Sequence, residues 1–191
     1  LTTGFIDCYD LFIEKIKGDE YQTHSGLKEV SSRTETIKIK DQSSKEIEIK
    51  KTHHGVLLEP LMQELGISEM TNSAYQTSLY WSLQDVPTSA GALSRLPLAK
   101  SAEEFRNYLF EDDICPLVNN IICVDKDSNL QRYIATTMPV RKEVTGSVPL
   151  SGWNDKYDFS LAKAKQLLVE NNPEAGYSLT ANNDTMGEGG E

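Results

Sequence analysis

Near its start the 191-residue chain reads Thr2-Thr3-Gly4-Phe5-Ile6-Asp7-Cys8-Tyr9-Asp10. In this segment a glycine frees the backbone, and two carboxylates follow three residues apart around an aromatic residue. The backbone groups of such a segment can bind a ligand, and its carboxylate oxygens suit a hard cation. The same pattern is also typical of a plain strand entry with two solvated aspartates. The segment alone does not decide between these interpretations.

The composition excludes several classes of function. Apolar residues make up 38% of the chain and charged residues 25%, as in an ordinary globular domain. No apolar run approaches the length of a membrane span, so no membrane partner is predicted. The net charge of −10 argues against a nucleic-acid partner, because phosphate binding needs a basic surface. Cys8, Cys115 and Cys123 have the spacing of neither a zinc knuckle nor a disulfide framework, and we interpret them as small core residues.

The three histidines show no catalytic signature. His53 and His54 are adjacent, so in a strand they would point to opposite faces and would be unable to bind one ion together. His24 lies in a polar turn. The sequence has no Ser/His/Asp or Cys/His arrangement with a recognisable local signature, and no phosphate loop.

Hydrophobic periodicity predicts a strand-rich α+β fold. In the first strand, 7–16, Tyr9, Leu11 and Ile13 share one face, opposite Asp10, Phe12 and Glu14. Further strands are predicted at 33–40 (half-buried), 46–51, 56–58, 75–83, 117–124, 132–137 and 177–180. Helices are predicted at 90–98, after a capping box at Ser101, and at 160–170, whereas 61–71 is ambiguous. Residues 33–51 and 117–137 are expected to be hairpins. The turn at 125–129 superficially resembles a calcium loop but lacks the EF-hand glycine and glutamate.

Several separated motifs then follow one another along nearly the whole chain: Thr2-Thr3-Gly4-Phe5 with Asp7 and Asp10; Arg33-Thr34-Glu35-Thr36-Ile37; Thr52-x-His54-Gly55; Leu79-x-Trp81 with Phe105; Asn120 with Val124-Asp125; Pro149-x-x-Gly152-Trp153; and Asn172-Pro173-x-x-Gly176-Tyr177-x-x-x-Ala181-Asn182-Asn183. In this order they resemble part of the catalytic β chain of the penicillin acylases. Those enzymes are N-terminal nucleophile (Ntn) hydrolases that cut side-chain amides.

The resemblance implies that the chain is an internal fragment of such a β chain. Residues 1–19 and 174–191 would be edges of an Ntn-hydrolase αββα nucleophile domain, and about 20–140 its inserted β-rich region with central helices. The nucleophile, a Ser whose own α-amino group is the base, would lie several dozen positions upstream of Leu1. The expected partners are a small-molecule amide substrate and the rest of the acylase (its α chain and the remainder of its β chain). The isolated chain is expected to be inactive, and the family suggests a periplasmic or extracellular location.

The resemblance also implies roles for particular residues. Thr3 matches the position whose backbone N–H helps form an oxyanion hole, and Asn182 the position whose side-chain amide is the second donor. An amide N–H₂ stabilises a developing oxyanion without a competing charge. An asparagine in a turn is the alternative for Asn182. His54 is interpreted as structural.

A calcium site is implied at four further positions. The carboxylates of Asp7 and Asp10 and the backbone carbonyls of Tyr9 and Val144 match calcium ligands of the relatives, and oxygen-only ligation suits Ca²⁺. The chain departs from the family at Cys8, where an acidic residue is usual, and in the loop near Val144, which lacks the family's prolines.

The sequence therefore predicts a fragment of an acylase that hydrolyses a linear amide, of the penicillin side-chain type, through an acyl-enzyme. Two alternatives stay open. The parent enzyme would instead act on acyl-homoserine lactones or another N-acyl amine, or the segment would be a non-catalytic binding module with Trp81 and the strand faces as its surface.

Overall fold

The computed structural model describes residues 2–4, 7–67, 74–82, 84, 94–110, 115, 117–142, 146–158, 160–162 and 167–182. Short strands dominate these residues, which confirms the strand-rich α+β prediction. The strands, in chain order, are β1 (Thr2–Thr3), β2 (Tyr9–Lys17), β3 (Glu20–Thr23), β4 (Gly26–Glu29), β5 (Ser31–Ile37), β6 (Lys45–Lys51), β7 (Val56–Leu57), β8 (Tyr75–Trp81), β9 (Asn119–Val124), β10 (Leu130–Ala135), β11 (Pro139–Val140), β12 (Leu150–Ser151), β13 (Ser160–Leu161) and β14 (Leu168–Asn171). The α-helices are α1 (Glu59–Glu64) and α2 (Ala102–Leu109), and single 3₁₀ turns form at Leu96–Leu98 and Asp155–Tyr157.

The chain divides into two compact units, which we describe separately. The first comprises Leu1–Cys8, Ser82–Val140 and Phe159–Glu191, and the second comprises Tyr9–Trp81 and Arg141–Asp158. The predicted partition into a nucleophile domain and a β-rich insert concerns a larger protein, and it stays a prediction.

An antiparallel sheet in the order β1-β9-β10-β14 organises the first unit. The predicted β9–β10 hairpin is confirmed, with Val124 opposite Leu130 at the turn and Asn119 opposite Ala135 at the far end. The core of this unit contains buried apolar side chains, which include Leu109, Phe110, Cys115, Ile121, Tyr133 and Leu167. The sheet therefore presents one apolar face, and β1 forms its edge.

Helix α2 begins as the capping box predicts, with one change. The Ser101 Oγ accepts a hydrogen bond from the backbone N–H of Glu104 at 3.0 Å. The Glu104 side chain returns to the backbone N–H of Lys100, at 2.7 Å, rather than to that of Ser101. The first contact satisfies an N–H group that the first turn of the helix leaves unpaired, and the second ties the residue before the N-cap to that turn.

A second sheet, in the order β4-β3-β2-β8-β7-β6-β5, forms the other unit, and β12 pairs in parallel with β2. The predicted β5–β6 hairpin is confirmed. Strand β5, which was predicted to be half-buried, is exposed throughout because it is the edge of this sheet. In β2 the alternation is confirmed, but the buried face contains Asp10, Phe12 and Glu14, whereas Tyr9 is 53% exposed.

Two predictions of local structure are wrong. In the described part of the range predicted to be a helix, 160–170, residues 160–161 and 168–171 form β13 and β14, and residues 163–166 lie outside the described residues. Residues 168–171 pair with β10 and place Glu170 against Arg132, with 2.7 Å between the ionic groups. The strand predicted at 177–180 has no ladder to join among the described residues, and its chain is irregular. The ambiguous 61–71 segment includes part of α1, with Pro60 in its first turn. Residues 90–93 of another predicted helix lie outside the described residues. No described helix is long and apolar enough to cross a membrane.

Candidate functional site

Strand β1 places the backbone N–H of Thr3 at the edge of the first sheet. Thr2 pairs with Asn120 and Thr3 with Asn119, and the next residue, Gly4, donates its N–H to the Val118 carbonyl at 2.9 Å. Antiparallel pairs alternate between hydrogen-bonded and non-hydrogen-bonded. Because the Gly4 pair is hydrogen-bonded, the Thr3 pair is not, and the Thr3 N–H points away from β9. The predicted oxyanion donor is therefore not consumed by the ladder.

The residue before Asn182 is held beside the residue before Thr3. The carbonyl oxygen of Ala181 accepts a hydrogen bond from Thr2 Oγ1 at 3.1 Å and another from Asn120 Nδ2 at 3.2 Å. Asn120 is fully buried, so its amide is a fixed anchor. The structure thus brings the chain segments of the two predicted donors together, and both Thr3 and Asn182 are exposed. Asn120 belongs to one of the motifs that resemble the family, but no role was assigned to it from the sequence.

The predicted calcium ligands do not fit a calcium ion as they stand. Arg141 Nε lies 2.9 Å and 3.1 Å from the two carboxylate oxygens of Asp10, and Arg141 Nη2 donates to the Tyr9 carbonyl at 3.0 Å. One guanidinium therefore binds the carboxylate and the carbonyl that calcium would need. Asp7 is exposed, and Val144 lies outside the described residues. The calcium site stays a prediction, and no step of the chemistry below depends on it.

The Asp10–Arg141 pair is buried and closely enclosed. The Asp10 side chain is inaccessible and that of Arg141 is 8% exposed. A Cβ atom on Gly146 would lie 2.8 Å from both the Arg141 guanidinium carbon and Asp10 Oδ1. Gly146 also has a φ of +72°, which favours glycine. The chain is therefore built locally around this ion pair. Sequence reasoning missed Arg141, because it is 131 residues from Asp10 along the chain.

A second buried carboxylate, Glu14, lies on the same face of β2. Its Oε1 accepts hydrogen bonds from Thr52 Oγ1 (2.8 Å), Ser78 Oγ (2.7 Å) and His54 Nδ1 (2.9 Å). The His54 ring stacks on Phe12 with 3.8 Å between the ring centroids, and its Nε2 lies 3.3 Å from Asp158 Oδ1. The structural role predicted for His54 is consistent with this buried network.

The Glu14 carboxylate is held in its charged form. Burial by itself raises the pKa of Glu14, but the hydrogen bond and charge of His54, with the Ser78 and Thr52 hydroxyls, outweigh burial and lower that pKa below its ordinary value. Glu14 Oε2 is buried without a hydrogen-bond partner among the described residues, and a Cβ on Gly152 would lie 2.2 Å from it. Glycine is thus required at position 152 of the Pro149-x-x-Gly152-Trp153 motif, because a side chain there would clash with the Glu14 carboxylate.

One inference about the histidines is wrong. His53 and His54 lie in a bend rather than a strand, so their rings do not point to opposite faces. The ring centroids are 3.7 Å apart with a tilt of 39°, and ligand atoms of His53, His54 and Asp158 lie within 4.8 Å of one another. The strands predicted at 46–51 and 56–58 already left His53 and His54 outside a strand, but sequence reasoning did not use this to place the two rings.

Comparison with known proteins places the chain in a family. A profile described as penicillin amidase matches residues 1–191. The chain is 28% identical over 189 residues to an acyl-homoserine lactone acylase, QuiP, of Pseudomonas fluorescens, and 24% identical over 188 residues to QuiP of Pseudomonas syringae. Each alignment covers 96% of this chain, which spans only 22% of the length of either relative. The fold is similar to that of a thermostable penicillin G acylase from Alcaligenes faecalis, with a TM-score of 0.70, 19% identity, and coverage of 97% of this chain and 32% of that chain. The profile match over the whole chain shows that it belongs to the penicillin amidase family.

Proposed function

We propose that this chain is a segment of an acylase that hydrolyses a linear amide through an acyl-enzyme. Its task would be to supply two neutral hydrogen-bond donors, the Thr3 N–H and the Asn182 side-chain amide, to the carbonyl oxygen of the substrate. The nucleophile would come from a part of the protein outside this chain. That part would complete an Ntn-hydrolase αββα nucleophile domain, of which residues 1–19 and 174–191 would be edges.

The observation that best supports the proposal is the contact between the two donor segments. The Ala181 carbonyl is bound by both Thr2 and the buried Asn120, so the chain enters Asn182 from a fixed point beside β1. The Thr3 N–H, in turn, is left out of the β1–β9 ladder. Donors that are aimed before the reaction stabilise an oxyanion at no cost in reorganisation. Asn120 would then be a positioning residue.

The chemistry follows from the charge that develops on the substrate. When a nucleophile attacks an amide carbonyl, its oxygen becomes negative, and two N–H donors stabilise that charge more than they stabilise the neutral carbonyl. The intermediate then expels the amine and leaves an acyl-enzyme, which water hydrolyses to the free acid. Loss of one such donor lowers kcat by about 10²–10³-fold, which corresponds to about 2.7–4 kcal/mol.

The test is substitution of each donor in the full-length protein. Asn182→Ala is expected to lower kcat by about 10²–10³-fold with a smaller change in KM. Thr3→Pro removes the other N–H and is expected to act similarly, since proline is tolerated in edge strands at N–H groups that face away from the ladder. Asn107→Ala, at an exposed asparagine on α2, is the matched control and is expected to leave kcat unchanged. Full activity of Asn182→Ala would contradict the proposal.

A second candidate substrate is favoured by the relatives. Two curated relatives that align with 96% of this chain are named acyl-homoserine lactone acylases, so an N-acyl-homoserine lactone is the alternative to a penicillin-type amide. Both substrates contain an amide that the same donors would serve. Parallel assays of amine release from penicillin G and from N-acyl-homoserine lactones of several acyl lengths decide between them. Hydrolysis of neither class, by protein with an intact nucleophile, would favour the binding-module alternative.

A further inference from the structure

His53, His54 and Asp158 form a cluster that the acylase chemistry does not use. One ligand atom from each lies within 4.8 Å of the other two. His53 and Asp158 are accessible from solvent, since His53 is exposed and the Asp158 side chain is 46% exposed. His54 is buried at the base of the cluster. An ion arriving from solvent would therefore meet three converging donor atoms.

Neighbouring residues orient both imidazole rings. His54 Nδ1 donates to the buried Glu14 Oε1 at 2.9 Å, which directs Nε2 towards Asp158. A ligating histidine typically uses its other ring nitrogen in this way, as a donor to a carboxylate. The Tyr21 hydroxyl lies 3.1 Å from both the backbone N and Nδ1 of His53, and so fixes the second ring.

The distance between His54 Nε2 and Asp158 Oδ1 matches two ligands of one metal ion better than a strong hydrogen bond. It is 3.3 Å, whereas a charge-assisted N–H···O bond is usually about 2.7–2.9 Å. Two ligands that each lie about 2.0–2.1 Å from a tetrahedral zinc ion are about 3.3–3.4 Å apart. The donor set, two imidazoles and one carboxylate, is also one that Zn²⁺ accepts.

We propose that His53, His54 and Asp158 bind a divalent zinc ion, with water as the fourth ligand. In the bound state, His54 Nε2 would donate its lone pair to the metal, while the Nδ1 N–H stays hydrogen-bonded to Glu14 Oε1. The ion links the bend at 52–55 to the segment that ends at Asp158. Zinc bound to the folded state therefore stabilises this unit in proportion to the logarithm of zinc concentration above the dissociation constant.

The test is zinc binding to the full-length protein after removal of metal with a chelator. Calorimetric titration with ZnCl₂ is expected to show a saturable site, and zinc is expected to raise the unfolding temperature. Asp158→Asn and His53→Gln are each expected to weaken binding at this site by more than about tenfold, because even loss of a partner behind a ligand costs about 10–100-fold. Co²⁺ in place of zinc is expected to give the visible absorption of a tetrahedral site, which Asp158→Asn abolishes.

Matched controls are available on the same unit. His24 and Asp155 are an exposed pair with 4.0 Å between Nε2 and Oδ2, and neither belongs to the cluster. His24→Gln and Asp155→Asn are expected to leave zinc affinity unchanged. The proposal is overturned by absence of saturable binding, or by binding that both His53→Gln and Asp158→Asn leave intact. These measurements do not involve amide hydrolysis, so their outcome is independent of the proposed function.

Discussion

Replacement of Arg141 by methionine is the sharpest test of the contacts that Arg141 makes with two predicted calcium ligands, the Asp10 carboxylate and the Tyr9 carbonyl. Methionine keeps much of the side-chain volume but removes the guanidinium from Asp10 and from the Tyr9 carbonyl. The Asp10 side chain is inaccessible to solvent and that of Arg141 is nearly so, so solvent screening does not reduce the effect. Removal of one partner from a buried ion pair typically costs about 3–5 kcal/mol. We expect Arg141→Met to lower the free energy of unfolding by that amount.

The assay is urea unfolding of the full-length protein, in which the shift of the midpoint multiplied by the slope gives the change in free energy. Lys142→Met changes the exposed neighbour and is expected to cost less than about 0.5 kcal/mol. The double variant Asp10→Leu/Arg141→Met is expected to recover most of the loss, since an apolar replacement of a buried pair is often neutral. A decrease of less than about 1 kcal/mol in the free energy of unfolding of Arg141→Met would refute a stabilising role for the buried Asp10–Arg141 ion pair.

Calcium gives the same variant a second readout. With Arg141 present, we expect added Ca²⁺ to leave the unfolding midpoint unchanged, because the guanidinium occupies Asp10 and the Tyr9 carbonyl. In Arg141→Met the guanidinium no longer contacts these oxygens, and calcium is expected to restore stability by about 2.7 kcal/mol at a hundredfold excess over its dissociation constant. A calcium-dependent rise in the unaltered protein that Asp10→Asn removes would show that the ion binds despite Arg141.

Three further predictions concern the two units. Gly152→Ala forces a Cβ against Glu14 Oε2 and is expected to cost about 1–3 kcal/mol in urea unfolding, and an unchanged midpoint would contradict the close approach. Ser101→Ala removes the cap of α2 and is expected to cost about 1 kcal/mol, whereas no loss would show that the cap is dispensable. Hydrogen bonds from Asn129 lower the pKa of Asp125 to about 2, so its stabilising effect is present above about pH 4 and is lost as pH falls towards 2. Asp125→Asn is expected to lack this part of the acid sensitivity, and parallel stability curves for the two proteins between pH 4 and 2 would contradict it.

Local sequence patterns predicted secondary structure correctly where it depends on nearby residues, and failed where pairing with a distant strand determines it. Ile47 and Ile49 alternate with charged residues and predicted the β5–β6 hairpin, because that alternation is a property of the strand itself. At 168–171 the predicted helix was wrong because the pairing of β14 with β10 outweighs helical propensity, and β10 lies about 40 residues away. Among the site residues, Thr2, beside Thr3, contacts Ala181, beside Asn182, across 179 residues, whereas the roles of Thr3 and Asn182 stay predictions. No short-range pattern contains that contact.

The two buried carboxylates of strand β2, Asp10 and Glu14, lead to different expectations about metal binding. Asp10 and Glu14 are four residues apart, so they share one face, and each needs a positive partner in order to be buried as a charge. Asp10 is paired with a guanidinium, which stays protonated at any ordinary pH and cannot become a ligand. Glu14 is paired with an imidazole, which can exchange a proton for a metal ion. Metal dependence of this unit is therefore expected to follow Asp158, which faces the other nitrogen of His54, rather than Asp10. We expect a chelator to destabilise the unaltered protein and the Asp10→Asn variant equally, and to leave the stability of Asp158→Asn unchanged. A chelator that destabilises Asp158→Asn but not Asp10→Asn would refute this expectation.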